Sequence, residues 1–144
     1  MNALNKKIGL WIAALIAVIA IAAAIRTQAG WAAEAPPATI LQTVDGLKAE
    51  MTLGTYPVKR LQSNDFTVKL SKPDGMPASS YKLHVRLSMS NMVCGVVSFE
   101  LKEIAPGVYN GDAVPLMAGI WDAAVEADNG ERTVMFNRKL KAGA

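Results

Sequence analysis

Apolar and polar side chains alternate at every second position in five stretches between Phe66 and Asn137. The apolar sets are Phe66-Val68-Leu70, Leu83-Val85-Leu87-Met89, Val97-Phe99-Leu101, Trp121-Ala123-Val125 and Val134-Phe136. This period of two is typical of antiparallel strands that have one face in a core and the other in water. The pattern therefore predicts five half-buried strands.

Turn residues separate these stretches at short spacing: Pro73-Asp74-Gly75, Pro106-Gly107, Ala118-Gly119 and Asn129-Gly130. Asn129-Gly130 suits a tight hairpin, because both residues tolerate a positive φ. Two weaker strands, near Leu47–Leu53 and Val108–Val114, bring the number to about seven in roughly 100 residues, which favours an immunoglobulin-like antiparallel β-sandwich. The fold class is therefore predicted to be all-β, with Trp121 in the centre of the core.

The N-terminal part has a different pattern, because no charged side chain occurs from Ile8 to Ile25. Eighteen residues in a helix cover roughly 27 Å, close to the roughly 30 Å of a bilayer's hydrocarbon core. Lys6 and Lys7 before the run favour an uncleaved anchor with a cytoplasmic N terminus. The alternative is a cleaved secretory signal, with Thr27-Gln28-Ala29 as the best exit. In both interpretations the rest of the chain is exported, to the periplasm or the cell surface.

These patterns divide the chain into a membrane anchor or signal segment (1–26), an Ala/Pro-rich linker (27–46) and the sandwich domain (47–144). The charge follows the same division. Lys6, Lys7 and Arg26 are three of the 15 basic residues, whereas all 12 acidic residues lie beyond Arg26. The exported part is therefore formally neutral, and its composition indicates no nucleic-acid partner.

Four local motifs together resemble the YtkA-like domain family, which is distantly similar to FixH-type proteins. They are Asn64-x-Phe66-x-Val68-x-Leu70 with Pro73-Asp74-Gly75-Met76-Pro77, the Met89-Ser90-Asn91-Met92 turn, Leu101-x-x-Ile104-x-Pro106-Gly107-x-Tyr109, and Pro115-Leu116-Met117-Ala118-Gly119-Ile120-Trp121. The resemblance covers about Leu47 to Leu140. It implies a small sandwich domain that is often tethered to the membrane and faces outward. The FixH group is associated with copper supply to respiratory oxidases.

No motif in the sequence indicates an enzyme, since the single histidine and cysteine stand in no spacing that suggests a catalytic triad. One group of sulfur atoms is the candidate metal site. If the strands run up and down in turn, the turns after the third and the fifth of them lie at the same end of the sandwich. These turns carry Met89, Met92, Cys94 and Met117, and thioether and thiolate ligands select Cu(I). The alternative is packing, because Met89 continues the buried set of its strand and Cys is often buried as a small hydrophobe.

His84 lies in mid-strand between Lys82 and Arg86, so a solvated histidine is favoured over a ligand. Two functions follow from these features. The first is a membrane-tethered, extracytoplasmic, non-enzymatic accessory domain that docks on another membrane protein through its helix, an edge strand or a loop. In the span, Ala13, Ala17, Ala20 and Ala24 would offer small residues for helix packing, or they are ordinary apolar filler. The alternative function is copper binding or delivery through the sulfur cluster.

Overall fold

A computed structural model of the chain describes residues 35–90, 92 and 95–143. Every regular element in these residues is a β-strand, and together they belong to one compact unit that begins at Ala35. The nine strands are β1 (Thr39–Val44), β2 (Leu47–Leu53), β3 (Val58–Lys59), β4 (Asn64–Ser71), β5 (Lys82–Ser88), β6 (Val97–Ala105), β7 (Val108–Ala113), β8 (Gly119–Asp128) and β9 (Thr133–Gly143). The all-β prediction is confirmed.

The strands form one curled sheet in the order β1-β2-β4-β7-β6-β5-β8-β9-β3. All neighbouring strands are antiparallel except β3, which pairs with β9 in parallel. The sheet has two halves, one with β1, β2, β4 and β7 and the other with β5, β8, β9 and β3. β6 belongs to both, because Val97 to Leu101 pair with β5 and Lys102 to Ala105 pair with β7. The sheet curls around one hydrophobic core, to which strands from both halves contribute.

Alternation of side chains along the strands builds this core. In β4, β5, β8 and β9 the residues predicted to be apolar and inward are buried, and Trp121 is fully buried. The rings of Phe66 on β4 and Phe99 on β6 meet edge to face, with their centroids 5.9 Å apart. Edge-to-face packing is a favoured geometry for aromatic pairs, so the contact helps to join the two halves.

Two predictions about the strands and the linker are wrong in part. Thr39–Val44, predicted as linker, forms the edge strand β1, whose inward side chains are only half-buried and whose Leu41 is exposed. The apolar alternation was therefore too weak to mark it as a strand. β3, only two residues long, is the other strand beyond the predicted seven.

The hairpin at Asn129-Gly130 is also looser than predicted. Asp128 pairs with Thr133, which leaves a loop of four residues, and of this pair only Gly130 has a positive φ. The tight two-residue turn lies elsewhere, at Asp45-Gly46 between β1 and β2, where both residues have positive φ values.

The two ends of the sheet carry different connections. At one end, here called the methionine end, lie the connections that follow β2, β5 and β7, whose described residues are 54–63, 89–90 with 92, 95 and 96, and 114–118. The predicted placement of the turns after β5 and β7 at one end is confirmed. The chain also enters β1 there, because Thr39 pairs with Thr52 and the Leu53 N–H donates to Ala38 O.

The predicted anchor or signal segment, residues 1–26, lies outside the described residues. In the described part of the chain no helix has the length and apolar character that a membrane crossing needs.

Candidate functional site at the methionine end

Met89 and Met117 each pack against the core at the methionine end. Both side chains are half-buried and contact the buried cluster. Gly119 lies so close to the Met89 methyl group that an added Cβ would stand 2.7 Å from Met89 Cε. A Cβ on Gly95 would stand 3.8 Å from Met117 Cε and 3.9 Å from Trp121 Cη2. Gly119 therefore makes room for Met89, and Gly95 leaves space beside Met117 and Trp121.

Trp121 fixes the connection that carries Met117. Its indole Nε1–H donates to the Met117 carbonyl at 2.9 Å, which satisfies the polar atom of an otherwise apolar buried ring. The buried ring thus sets the position of the backbone at Met117. Both half-buried methionines thus pack against the end of the core, which agrees with the packing interpretation and does not test the metal site.

Met92 differs from these two, because its side chain is 51% exposed. A turn holds its backbone, in which the Met92 N–H donates to Met89 O at 3.2 Å. Cys94, the fourth member of the predicted Cu(I) set, lies outside the described residues. The structure therefore brings Met89, Met92 and Met117 to one end, and the metal site itself stays a prediction.

A charged network borders the turn after β5. The Asp122 carboxylate accepts hydrogen bonds from Lys139 Nζ at 2.7 Å and from Ser90 Oγ at 2.6 Å. These two donors, Lys139 first, hold the pKa of Asp122 below its ordinary value. The network ties the turn at Ser90 to strands β8 and β9.

His84 lies away from this end, on the exposed face of β5. Across the neighbouring strands it faces Glu100 on one side and Glu126 on the other, a pairing that the sequence analysis did not foresee. Even so, the described residues hold no group of three or more His, Cys, Asp or Glu side chains placed to bind a metal ion.

Arg138 is a charged side chain inside the fold, with only 3% of its surface exposed. Its guanidinium donates to the carbonyls of Pro37 at 2.7 Å, Ala38 at 3.0 Å and Met51 at 2.8 Å. A further, longer bond of 3.3 Å runs to Lys139 O. Burial lowers the pKa of Arg138, but a guanidinium still carries its charge at neutral pH. Arg138 thus holds the segment by which the chain enters β1.

Asn64 does the same for the connection between β2 and β4. It is 3% exposed, its Nδ2 donates to the carbonyls of Lys59, Gln62 and Ala113, and its Oδ1 accepts from the Lys59 N–H. All hydrogen-bonding positions of the amide group are engaged except one lone pair of the oxygen. Hydrogen bonds of the Asn64 side chain therefore fix the backbone of the loop from Lys59 to Asn64.

The sequence profile of the FixH family matches residues 7–141. The chain belongs to the FixH family. The match covers nearly the whole chain, including the apolar run from Ile8, and it confirms the expected FixH relation. Membership of FixH indicates a membrane-associated accessory protein. The closer YtkA-like assignment stays a prediction.

Two further comparisons add little to the FixH assignment. A search of curated proteins found no match. Among solved structures, an engineered protein is similar with a TM-score of 0.46 and 10% identity, over 76% of this chain and 21% of that protein. This FixH chain thus spans about a fifth of the length of that engineered protein.

Two residues that organise this FixH domain, Arg138 and Asn64, had no structural role in the sequence analysis. For Arg138 a signal exists, because it continues the buried set of β9 in which Val134 and Phe136 precede it. An arginine at a buried position of a strand indicates a buried cation that needs acceptors. Asn64 stands likewise at the parity of Phe66 and of the buried residues that follow it on β4.

Proposed function

We propose that this FixH-family chain is a membrane-tethered, extracytoplasmic accessory protein without catalytic activity, whose folded unit docks on another membrane protein. The observation that carries the proposal is the extent of the family match. One family profile covers both the apolar run from Ile8 to Ile25 and the curled sheet. The run is long enough to cross a bilayer and Lys6-Lys7 precede it, so the anchor interpretation leads over the cleaved signal.

The fold fits the proposed domain type. The curled nine-stranded sheet, with both halves around one core, suits an immunoglobulin-like sandwich with two additional edge strands. Its inward side chains are used for packing, including Met89 and Met117.

Purification from native membranes in a mild detergent tests this proposal. A tagged full-length chain is expected to carry another membrane protein with it at constant stoichiometry. The variant Ala17→Leu with Ala20→Leu enlarges the small residues of the span without changing its apolar character, and it is expected to keep the partner if the folded unit makes the contact. A full-length chain that runs alone, at the size of a protomer in its micelle, would contradict the docking proposal.

Orientation is tested separately with the single cysteine moved to an exposed position. In a Cys94→Ser background, Met76→Cys places a thiol on a side chain that is 61% exposed. A membrane-impermeant maleimide added to intact spheroplasts is expected to label it. Labelling only after lysis would place the folded unit in the cytoplasm and refute the export of the domain.

A second candidate function is copper binding, favoured by the shared position of Met89, Met92 and Met117 at one end. Methionine sulfur atoms with the Cys94 thiolate would form a soft ligand set for Cu(I). The reduced full-length chain is titrated with Cu(I) against a chromogenic chelator. Cys94→Ser with Met92→Leu is expected to weaken Cu(I) binding at least tenfold, by the loss of two ligands. The matched control is Met76→Leu with Met135→Leu, which removes two exposed methionines outside the cluster. Equal affinities for the two double variants would exclude the site.

A further inference from the structure

Exposed apolar side chains are concentrated at the methionine end. Of the nine large hydrophobic side chains that are exposed in the described residues, five lie there. They are Leu61 at 66% exposure, Met92 at 51%, Val96 at 46%, Leu116 at 42% and Ile120 at 42%. Single exposed apolar residues are common on soluble domains, but several at one end indicate a contact surface.

The structure holds Leu61 outward at a conformational cost. Its φ is +56°, in the left-handed region, which is unfavourable for a residue with a branched side chain. The Leu61 N–H donates to Pro115 O at 2.8 Å, which places Leu61 beside the connection that carries Leu116. The hydrogen bonds of Asn64 fix the same loop. Backbone strain that the surrounding structure maintains is typical of functional sites. The strained and exposed Leu61 is therefore a candidate for a binding contact and not an incidental loop residue.

Basic side chains flank this apolar group. Lys59 and Arg60 directly precede Leu61, both are exposed, and neither forms an ion pair within the described residues. Lys141 lies opposite Ile120 on the outer face of the sheet.

Three carboxylates lie at the same end. Asp112 accepts a hydrogen bond from Ser63, and Asp122 binds Lys139. Asp65 is exposed beside Gly54.

Apolar side chains next to lysine and arginine are the combination that binds the interface of a bilayer with anionic lipids.

The chain enters the folded unit at this same end. Residues 26–34 join the apolar run that ends at Ile25 to Ala35, and nine residues span at most about 30 Å. Arg138 holds Pro37 and Ala38, so the entry point into β1 is fixed relative to the methionine end. The linker from the apolar run therefore joins the folded unit at the methionine end.

We propose that the methionine end rests on the membrane surface, with Leu61 and Leu116 in the interfacial layer and Lys59 and Arg60 at anionic headgroups. This inference rests on the membrane tether proposed above. The lipid surface is favoured over a protein partner because Leu61, Met92 and Leu116 belong to three separate connections and the apolar group is bordered by lysine and arginine. The contact would fix the orientation of the domain on the bilayer.

Depth measurement with spin labels tests the proposal on the full-length chain in lipid vesicles. In a Cys94→Ser background a nitroxide is attached at Leu61→Cys, and the matched control is Met76→Cys, equally exposed but at the opposite end. Power saturation gives the collision ratio of oxygen to a water-soluble nickel chelate, which rises with depth in the bilayer. The ratio is expected to be several-fold higher at position 61 than at position 76. A label at Leu116→Cys repeats the measurement should the label at position 61 disturb its loop.

Lipid composition and one charge reversal separate the outcomes. Vesicles of phosphatidylcholine with phosphatidylglycerol are expected to give a higher ratio at position 61 than phosphatidylcholine alone, and Arg60→Glu is expected to remove this difference. Equal ratios at positions 61, 116 and 76, in a chain that floats with the vesicles after alkaline carbonate, would overturn the surface contact and leave the tether standing. Loss of the chain from the vesicles would refute the tether itself. Burial of position 61 in native membranes but not in pure lipid would overturn the proposal in favour of a protein partner.

Discussion

The buried guanidinium of Arg138 gives the sharpest prediction for stability. Arg138→Met removes the charge and its hydrogen bonds but keeps a long, unbranched side chain in the same space. The carbonyls of Pro37, Ala38 and Met51 then lose the hydrogen bonds from the guanidinium, although Ala38 O keeps the one from the Leu53 N–H. Met51 itself is fully buried, so we expect water to replace the donor less easily at its carbonyl than at the other two.

The magnitude follows from two opposing effects. Hydrogen bonds from a charged donor contribute about 1.5–3 kcal/mol each, so the three shorter bonds together give about 5–9 kcal/mol. Release of a buried charge recovers several kcal/mol of desolvation free energy. We therefore expect Arg138→Met to lower the free energy of unfolding by about 2–4 kcal/mol, near the cost of breaking a buried polar network.

Urea unfolding of the full-length chain in mild detergent, followed by tryptophan fluorescence, measures this loss. The matched control is Arg132→Met, because the guanidinium of Arg132 is exposed and donates to one carbonyl, that of Asp45. We expect the control to change the free energy by less than about 1 kcal/mol. Amide exchange adds a local measurement, since the Leu53 N–H donates to Ala38 O and should exchange faster in Arg138→Met.

Two results would refute this reasoning. An Arg138→Met protein as stable as the parent, or more stable, would mean that desolvation outweighs the hydrogen bonds, as happens for some buried ion pairs. If Arg138→Met lost no more free energy of unfolding than Arg132→Met, burial of the guanidinium would not increase its contribution to stability. Arg138→Lys is expected to be destabilised as well, because an ammonium keeps the buried charge but does not reproduce the geometry of the guanidinium fork.

Three further changes have definite expected outcomes. Asn64→Ala leaves three carbonyls without their donor and is expected to cost about 2–3 kcal/mol in urea unfolding; a change below about 0.5 kcal/mol would show that water replaces the amide. Gly119→Ala forces a Cβ against a methionine methyl group at a φ of +140°, whereas Gly130→Ala meets nothing within 4 Å at a φ of +86°. Both are expected to lower the melting temperature, Gly119→Ala by more; equal losses would rule out the close contact. Because Lys139 holds the folded pKa of Asp122 below its ordinary value of 3.8, the stability that Asp122 contributes is present above that value and lost as the pH falls through the folded pKa. The free energy of unfolding of Asp122→Asn should therefore fall less than that of the parent when the pH is lowered. An unchanged pH dependence of the free energy of unfolding would contradict this.

Much of the sheet was predictable because alternation is strong where one face is fully buried. β4, β5, β8 and β9 follow this rule, and their inward residues were identified from the sequence. The weak element was β1, whose inward side chains are only half-buried, so burial imposes little alternation on its sequence. A direct signal was nevertheless present, because Asp45-Gly46 is a strong indication of a two-residue hairpin turn.

The candidate site was predictable in its placement but not in its chemistry. Strand parity and turn order brought Met89 and Met117 to one end, as the structure shows. Whether a methionine plugs a core or binds a metal depends on contacts over several strands, such as the approach of Gly119 to Met89. Such contacts are set by tertiary packing, which a period of two does not encode.

β6 has a consequence for how the domain moves. Its first part is hydrogen-bonded to β5 and its second part to β7, with a register shift between Glu103 and Ala105. In a protein built from two separate layers, the layers can slide past each other by small shear displacements. Here one continuous backbone crosses from one half to the other and opposes such sliding. The domain should therefore respond to an applied load as a single stiff body, with any compliance confined to its loops.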